Sequence, residues 1–415
     1  MVSTKSQSKE WVTLPKSTQA PIVYLVVLLA FMGQMLLSPI IAPLSRELGM
    51  QEWHIGVAIS LAAFMVVVAS PLWGKTSQKR GVKPVLTAAM LVALLALIAV
   101  AAISFLGLRG IWVGPSMIIG FMLTRGLIYG GAIAAVTPAA QTHFVTQTET
   151  EAQRVKAVGG LGAVNGLASI LGAVLGGGLA AIGGLMLPLI VTPLLMLAGL
   201  IVLVVFFKPA AQERQVEEPK SVSYFDPRAF PFLISGLMLF VGFASVATIF
   251  GFLVQDRFAL SASGTAGVAA VYMALMSFAL ILAQAVIASQ LGWNSVQLMR
   301  LGFVVTVVGL LLIMPGGSYV LLGLGAITFG MGAGLAMLGY SAGPTMEMSQ
   351  SEQGSLAGLI NSNNGAAYVI APVASTALYG VSPYLSLGIG VVILGLVTVF
   401  VFVHPKFRAL SARKV

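Results

Sequence analysis

Twelve apolar blocks of about twenty residues follow one another along this chain, separated by short polar segments. A helix needs about that length to cross a ~30 Å hydrocarbon core at 1.5 Å per residue. The blocks fall near 21–44, 55–73, 85–106, 115–138, 157–181, 184–207, 230–254, 264–289, 297–315, 319–344, 357–380 and 384–403. Composition agrees: 58% of the 415 residues are hydrophobic and 8% are charged, against about a quarter charged in a soluble domain. A water-soluble globular domain and a disordered chain are both at odds with these proportions. There is no cysteine, which removes disulfide frameworks, thiolate metal sites and cysteine catalysis. The expected class is an all-α membrane protein of twelve transmembrane helices.

The net charge of +10 does not point to nucleic acid, because the basic residues occupy loops between apolar blocks. Eighteen of the 22 Lys and Arg fall on one set of segments, and only Arg46, Arg109 and Arg257 fall on the other. By the positive-inside rule the first set, which holds both termini, is cytoplasmic. The last basic residue, Arg125, lies inside a block.

The longest inter-block segment, 208–229, is polar and holds three prolines. It divides the chain into an N-terminal tail (1–20), a six-helix bundle (21–207), a cytoplasmic linker (208–229), a second six-helix bundle (230–403) and a basic tail (404–415). The halves also repeat. Gly56-Val57-Ala58 opens the second block, and Gly267-Val268-Ala269 opens the eighth, 211 residues on. Asn165-Gly166 in the fifth block meets Asn364-Gly365 in the eleventh, 199 residues on. A same-direction repeat implies an axis along the membrane normal and a substrate site at the interface near the midplane.

Arg125 lies about ten residues from the outer end of the fourth block, roughly 15 Å deep. A charge there is costly and marks either a cavity group or an arginine bonded to backbone and polar side chains. Tyr129 follows one turn along the same face. Gln34 lies at a similar depth in the first block, roughly 20 Å from the cytoplasmic end. Asn165, Asn361 and Asn364 are polar in apolar surroundings, as cavity lining or as interhelical hydrogen-bond formers. None of the twelve Asp and Glu falls within the hydrocarbon core of these blocks. Asp256 sits at the outer end of the seventh block and Glu347 just past the inner end of the tenth.

Twelve helices in a 6+6 arrangement resemble the major facilitator superfamily. The segment after the second block, Gly74-Lys-Thr-Ser-Gln-Lys-Arg-Gly81-Val-Lys83, resembles that family's loop motif at Gly74, Lys79, Gly81 and Lys83. Gln78 stands where the family has an aspartate, which should weaken any latch between halves. Gly172-Ala173-Val174-Leu175-Gly176-Gly177 resembles the antiporter motif of the drug/proton exporters, with Ala173 in place of proline. Arg125 with Gly130 and Gly131 resembles their arginine motif. The resemblance implies rocking of two halves about a cavity lined by the first, fourth, seventh and tenth helices. Gln34, Arg125 and Tyr129 then line its first half, with Ser245 and Thr248 on the seventh helix.

Several functional expectations follow. The chain exports small amphipathic compounds, or carries or exchanges an anionic metabolite with Arg125 as the clamp, or is a non-transporting scaffold or lipid scramblase. No nucleotide-binding GxxxxGK[ST], HExxH or intramembrane acid pair is present, so neither an enzyme nor an ATP-driven pump is expected. The expected partners are a small-molecule substrate and membrane lipid, with protons as a coupling ion through Asp256 or Glu347. No cofactor, metal or nucleic acid is expected. The compact loops suggest a monomer in a bacterial plasma membrane.

Overall fold

The computed structural model describes residues 18–148, 151–208, 221–291, 293–315 and 317–412. Most of the two tails' charged residues and the middle of the linker lie outside the described residues. So does Gly292, and the side chain of Arg154 is likewise not described.

The chain folds as α1 (Ala20–Leu36, resumed as Ile41–Glu47), α2 (Glu52–Arg80), α3 (Val82–Leu108), α4 (Pro115–Gln147), α5 (Glu151–Gly183) and α6 (Met186–Phe206). The second half holds α7 (Phe230–Phe258), α8 (Ala262–Ile287), α9 (Ser295–Ile313), α10 (Tyr319–Thr345), α11 (Gln350–Val381) and α12 (Pro383–Val403). A short α13 (Pro405–Ala412) follows. The described residues contain no strand. The protein is an all-α, multi-pass membrane protein of two six-helix bundles.

Among the described residues, ten helices are long and apolar enough to cross a membrane, or eleven when the two pieces of α1 count as one span. The pieces meet at a 45° bend. Pro39 lies in the break, where a missing N–H and a ring clash with the preceding turn end a helix. The remaining long helix, α11, carries the polar Asn361-Ser-Asn-Asn364 run, extends for 32 residues and packs along both α2 and α7.

Several boundaries move from the sequence expectation. Helix α2 continues through Gly74–Arg80, so the expected loop shrinks to a turn at Gly81, whose φ of +85° suits glycine. Lys83 does not reach the other half. Its Nζ donates to the carbonyls of Val204 (2.8 Å) and Phe207 (2.7 Å), neutralising the negative end of α6.

Glycines set the close approaches inside the N-terminal half. A Cβ on Gly172 would lie 2.6 Å from Met35 Cβ, and one on Gly176 would lie 2.0 Å from the Leu36 carbonyl oxygen. These two therefore seat α5 on α1 at backbone distance, as small-xxx-small spacing allows. Gly126 and Gly130 do the same for α4 on α2, with 2.9 Å to the Ala58 oxygen and 2.5 Å to Ala62 Cα.

The two halves meet along α2–α11 and α5–α8, and the repeat organises both seams. Gly56 on α2 faces the Pro372 oxygen at 2.6 Å and Thr376 Oγ1 at 2.0 Å for an added Cβ. Its repeat partner Gly267 on α8 faces Ala181 and Gly177 on α5. Gly177 itself would carry a Cβ 2.1 Å from that of Ala270. The antiporter-like stretch thus belongs half to α1 and half to the seam between bundles.

Candidate functional site

Arg125 and Tyr129 are four residues apart, and between them the chain winds as a π-helical turn, Leu123–Ile128. Such single turns inside α-helices recur at functional sites. The neighbouring pair Gly126 and Gly130 is pressed onto α2, which fixes the rotation of α4. That rotation turns Arg125 and Tyr129 inward, where Arg125 is 8% exposed and Tyr129 fully buried. The guanidinium lies over the Tyr129 ring, 4.7 Å from its centroid.

No hydrogen bond or ion pair reaches Arg125 among the described residues, and its enclosed Nε has no partner. A cation–π contact contributes about 0.5–2 kcal/mol, whereas an unpaired charge at membrane depth costs several kcal/mol. The ring therefore does not offset the cost alone. Among the described residues five enclosed side-chain polar atoms lack a partner: four belong to Gln34, Arg125, Tyr129 and Asn165, and the fifth is Ser77 Oγ. Buried polar groups in folded proteins are overwhelmingly bonded, so a concentration of orphans in one half needs an explanation. Gln34 and Asn165 sit on α1 and α5, which pack together.

The sites expected in the second half behave differently. Asn364 Oδ1 accepts from the Tyr340 hydroxyl at 3.1 Å. Asn363, which the sequence reading passed over, is the hub: its Nδ2 donates to the Leu233 carbonyl (2.9 Å) and to Tyr340 Oη (3.0 Å), and its Oδ1 accepts from Tyr224 (2.9 Å). These asparagines join α7, α10 and α11 as interhelical glue. Thr248 bonds back to the Ala244 carbonyl at 2.7 Å. Ser245 is half-buried and Asn361 is exposed.

The 211-residue offset found at Gly56 and Gly267 also carries Gln34 onto Ser245, Arg46 onto Arg257 and Tyr129 onto Tyr340. Extending the offset along the chain was the signal available for Tyr340.

The expected rim acids are both engaged. Glu347 pairs with Lys406 at 2.5 Å, tying α13 to the end of α10. Asp256 pairs with Arg46 across the two halves and accepts from the Tyr379 hydroxyl at 2.8 Å. Arg46 also holds Glu52 at 2.8 Å, lies over the Phe252 ring 5.1 Å from its centroid and donates to Gln255 at 3.3 Å. This cluster closes the end of the molecule remote from the termini. Ser60 Oγ accepts from the Val373 N–H at 3.2 Å, adding a second polar tie between halves on the same side. Gln78 and Lys79 are exposed at the opposite end, and there is no group of three or more potential metal ligands among the described residues.

At the end that carries the termini, Arg228 binds Asp226 (2.8 Å) and Glu352 (2.8 Å). Arg228 and the Ser349 cap hold the Glu352 carboxyl down at about 2. Arg228 likewise pulls the Asp226 carboxyl below its ordinary value.

Two helical bundles thus meet along pseudo-equivalent seams, tied at one end by the Arg46 cluster, and one of them encloses an unpaired cation. The Major Facilitator Superfamily matches over residues 23–372, and the chain belongs to that family. It is 32% identical over 164 residues to the class B tetracycline resistance protein of Escherichia coli, covering 39% of this chain and 37% of that protein. It is 30% identical over 160 residues to human solute carrier family 67 member A1, covering 39% and 35% respectively. The chain thus spans little more than a third of the curated relatives it matches. Among solved structures, a bacterial homologue of the human lysosomal transporter Spinster, inward-facing and occupied, superposes with a TM-score of 0.74 at 12% identity, covering 97% of this chain and 100% of that one. The human organic anion transporter MFSD10 superposes with a TM-score of 0.65 at 19% identity, covering 94% and 100%. These likenesses establish the fold.

Proposed function

We propose that this transporter exports small amphipathic compounds by alternating access, and that its cargo presents an anionic group to Arg125. One observation carries the reading: an enclosed guanidinium at membrane depth, stacked on Tyr129, with no carboxylate among the described residues to neutralise it. A bound anion supplies the missing partner through charge-assisted hydrogen bonds. Gln34, Tyr129 and Asn165 supply further unbonded polar atoms on the same bundle. The apolar helices around them suit the rest of an amphipathic cargo.

The Arg46 cluster that ties the halves lies at the end remote from the termini, the outer end when the basic segments face the cytoplasm. A bacterial plasma membrane is the proposed location, in keeping with the tetracycline-resistance relatives. Asp256 and Glu347, the expected proton-coupling groups, are each already ion-paired at a rim. Efflux from cells of fluorescein, an amphipathic anion, and of ethidium, an amphipathic cation, tests the reading. Fluorescein efflux that disappears in Arg125→Leu supports it. Export of ethidium alone, unchanged by Arg125→Leu, contradicts it.

A further inference from the structure

We infer that Arg300 on α9 and Arg408 on α13 form a binding site for the phosphate of an anionic phospholipid, on the lipid-facing side of the second bundle. Both arginines lie against one residue, Phe402, in the last turn of α12. The Arg300 guanidinium lies over the Phe402 ring, 5.1 Å from its centroid, and its Nε donates to the Val401 carbonyl at 3.4 Å. The Arg408 Nε donates to the Phe402 carbonyl itself at 3.4 Å. Helix α9 packs against both α12 and α13, which gathers two side chains far apart in sequence at one helix end.

Among the described residues four basic side chains lie at this end of the second bundle. Arg228 is held by Asp226 and Glu352, and Lys406 by Glu347. Arg300 and Arg408 have no carboxylate partner among the described residues, and only their Nε atoms reach the backbone. The end of α12 offers roughly half an elementary negative charge against two full positive ones. The Nη nitrogens, whose forked donors suit a phosphate, are left for a ligand. Basic pockets between helices on the cytoplasmic side bind phospholipid headgroups, and the positive-inside rule makes this end cytoplasmic.

The surroundings favour a lipid over a free phosphate ion. Helix α9 packs on α10, α12 and α13, all of the second bundle. Phe402 is 44% exposed and Val403 52% exposed, so acyl chains find an apolar wall beside the arginines. Trp293, in the turn before α9, is exposed as well, at the level where aromatic residues meet headgroups. Arg109 supplies the contrast. It lies over the Phe105 ring, 5.2 Å from its centroid, but no second arginine among the described residues bonds to that phenylalanine.

Native mass spectrometry of the purified full chain, titrated in detergent with dioleoylphosphatidylglycerol, tests the site. Wild type should hold this lipid at least roughly tenfold more tightly than zwitterionic dioleoylphosphatidylcholine. Arg300→Gln and Arg408→Gln should each weaken it about fivefold, and the double variant about thirtyfold. Arg109→Gln should bind like wild type. Melting curves in phosphatidylcholine alone check that each variant is folded. Arg408 is exposed, so Arg408→Gln keeps the test decisive even where Arg300→Gln fails to fold. Inorganic phosphate at the lipid's own concentration should not displace phosphatidylglycerol; displacement by it would make the ligand a free ion and overturn the lipid site. Phosphatidylglycerol binding that is unchanged in Arg408→Gln, equally weakened by Arg109→Gln, or no tighter than phosphatidylcholine binding also overturns it.

Discussion

The two bundles hold repeat-related tyrosines in opposite conditions. Tyr340 in the second bundle is bonded to Asn363 and Asn364, and Asn363 in turn to Leu233 and Tyr224. Tyr129 in the first is just as buried, yet its hydroxyl bonds to nothing and its ring lies under an unpaired arginine. The same position in the repeat thus serves cohesion in one half and leaves unmet polarity in the other. A duplicated scaffold does not need two binding surfaces. One bundle with its polar groups satisfied is a rigid frame, and the bundle with orphans is where a ligand gains most.

The largest expected effect is at the most conspicuous orphan. Arg125→Leu should leave membrane insertion intact and reduce transport of an anionic dye by roughly 100-fold, the size of losing a charge-assisted contact of about 3 kcal/mol. Initial efflux rates normalised to membrane content check this, and normal transport by that variant would break the comparison. Next comes packing inside the first bundle. Gly176→Ala places a Cβ against the backbone of Leu36 and should destabilise the purified protein by about 1–3 kcal/mol. Gly178, two residues on, has nothing within 4 Å of an added Cβ, so Gly178→Ala should melt like wild type. Equal melting of the two glycine variants would show that the α1–α5 seam is looser than described.

The lock at the closed end should respond more modestly. Asp256→Asn removes the charge opposite Arg46, and breaking a half-exposed pair of this kind costs about 1 kcal/mol. Spin labels placed across that end should then show a minor open population that wild type lacks. Glu352→Gln should have the smallest effect. Its carboxyl is held at about 2, so its contribution is fully present above the ordinary carboxylate range near 4.3. That contribution fades as pH falls towards 2. Melting curves should show a slight loss for the variant at pH 7 and convergence with wild type at acid pH.

Much of this was legible in the chain. Block length and spacing gave the helices, because each span must bury its own backbone bonds in lipid. Arg125 stood out because a charge at that depth is costly. The antiporter-like glycines were readable as close contacts, since i, i+4 spacing puts small residues on one face. Other features were not legible. Whether Asn165 or Asn364 bonds to a neighbour depends on which helix face meets which, and periodicity does not fix that in helices that are apolar all round. Asn363 looked no different from Asn361 and Asn364 until α7 and α10 were in place around it. The closed-end lock joins Arg46 and Asp256 from sequence positions far apart, and only the bundle geometry makes them neighbours. Lys83 read as part of a latch between halves, but the start of α3 lies beside the end of α6 instead.

The most direct measurement is the paired substitution of the two tyrosines by phenylalanine, with melting temperature and fluorescein efflux recorded on each variant. Tyr340→Phe removes a hydroxyl from a satisfied network and should lower stability by about 1–3 kcal/mol while retaining efflux per folded molecule. Tyr129→Phe removes a hydroxyl that no protein group uses and should melt like wild type, with weakened fluorescein efflux. Equal destabilisation by both, or a loss of efflux confined to Tyr340→Phe, would contradict the division between a binding half and a frame half.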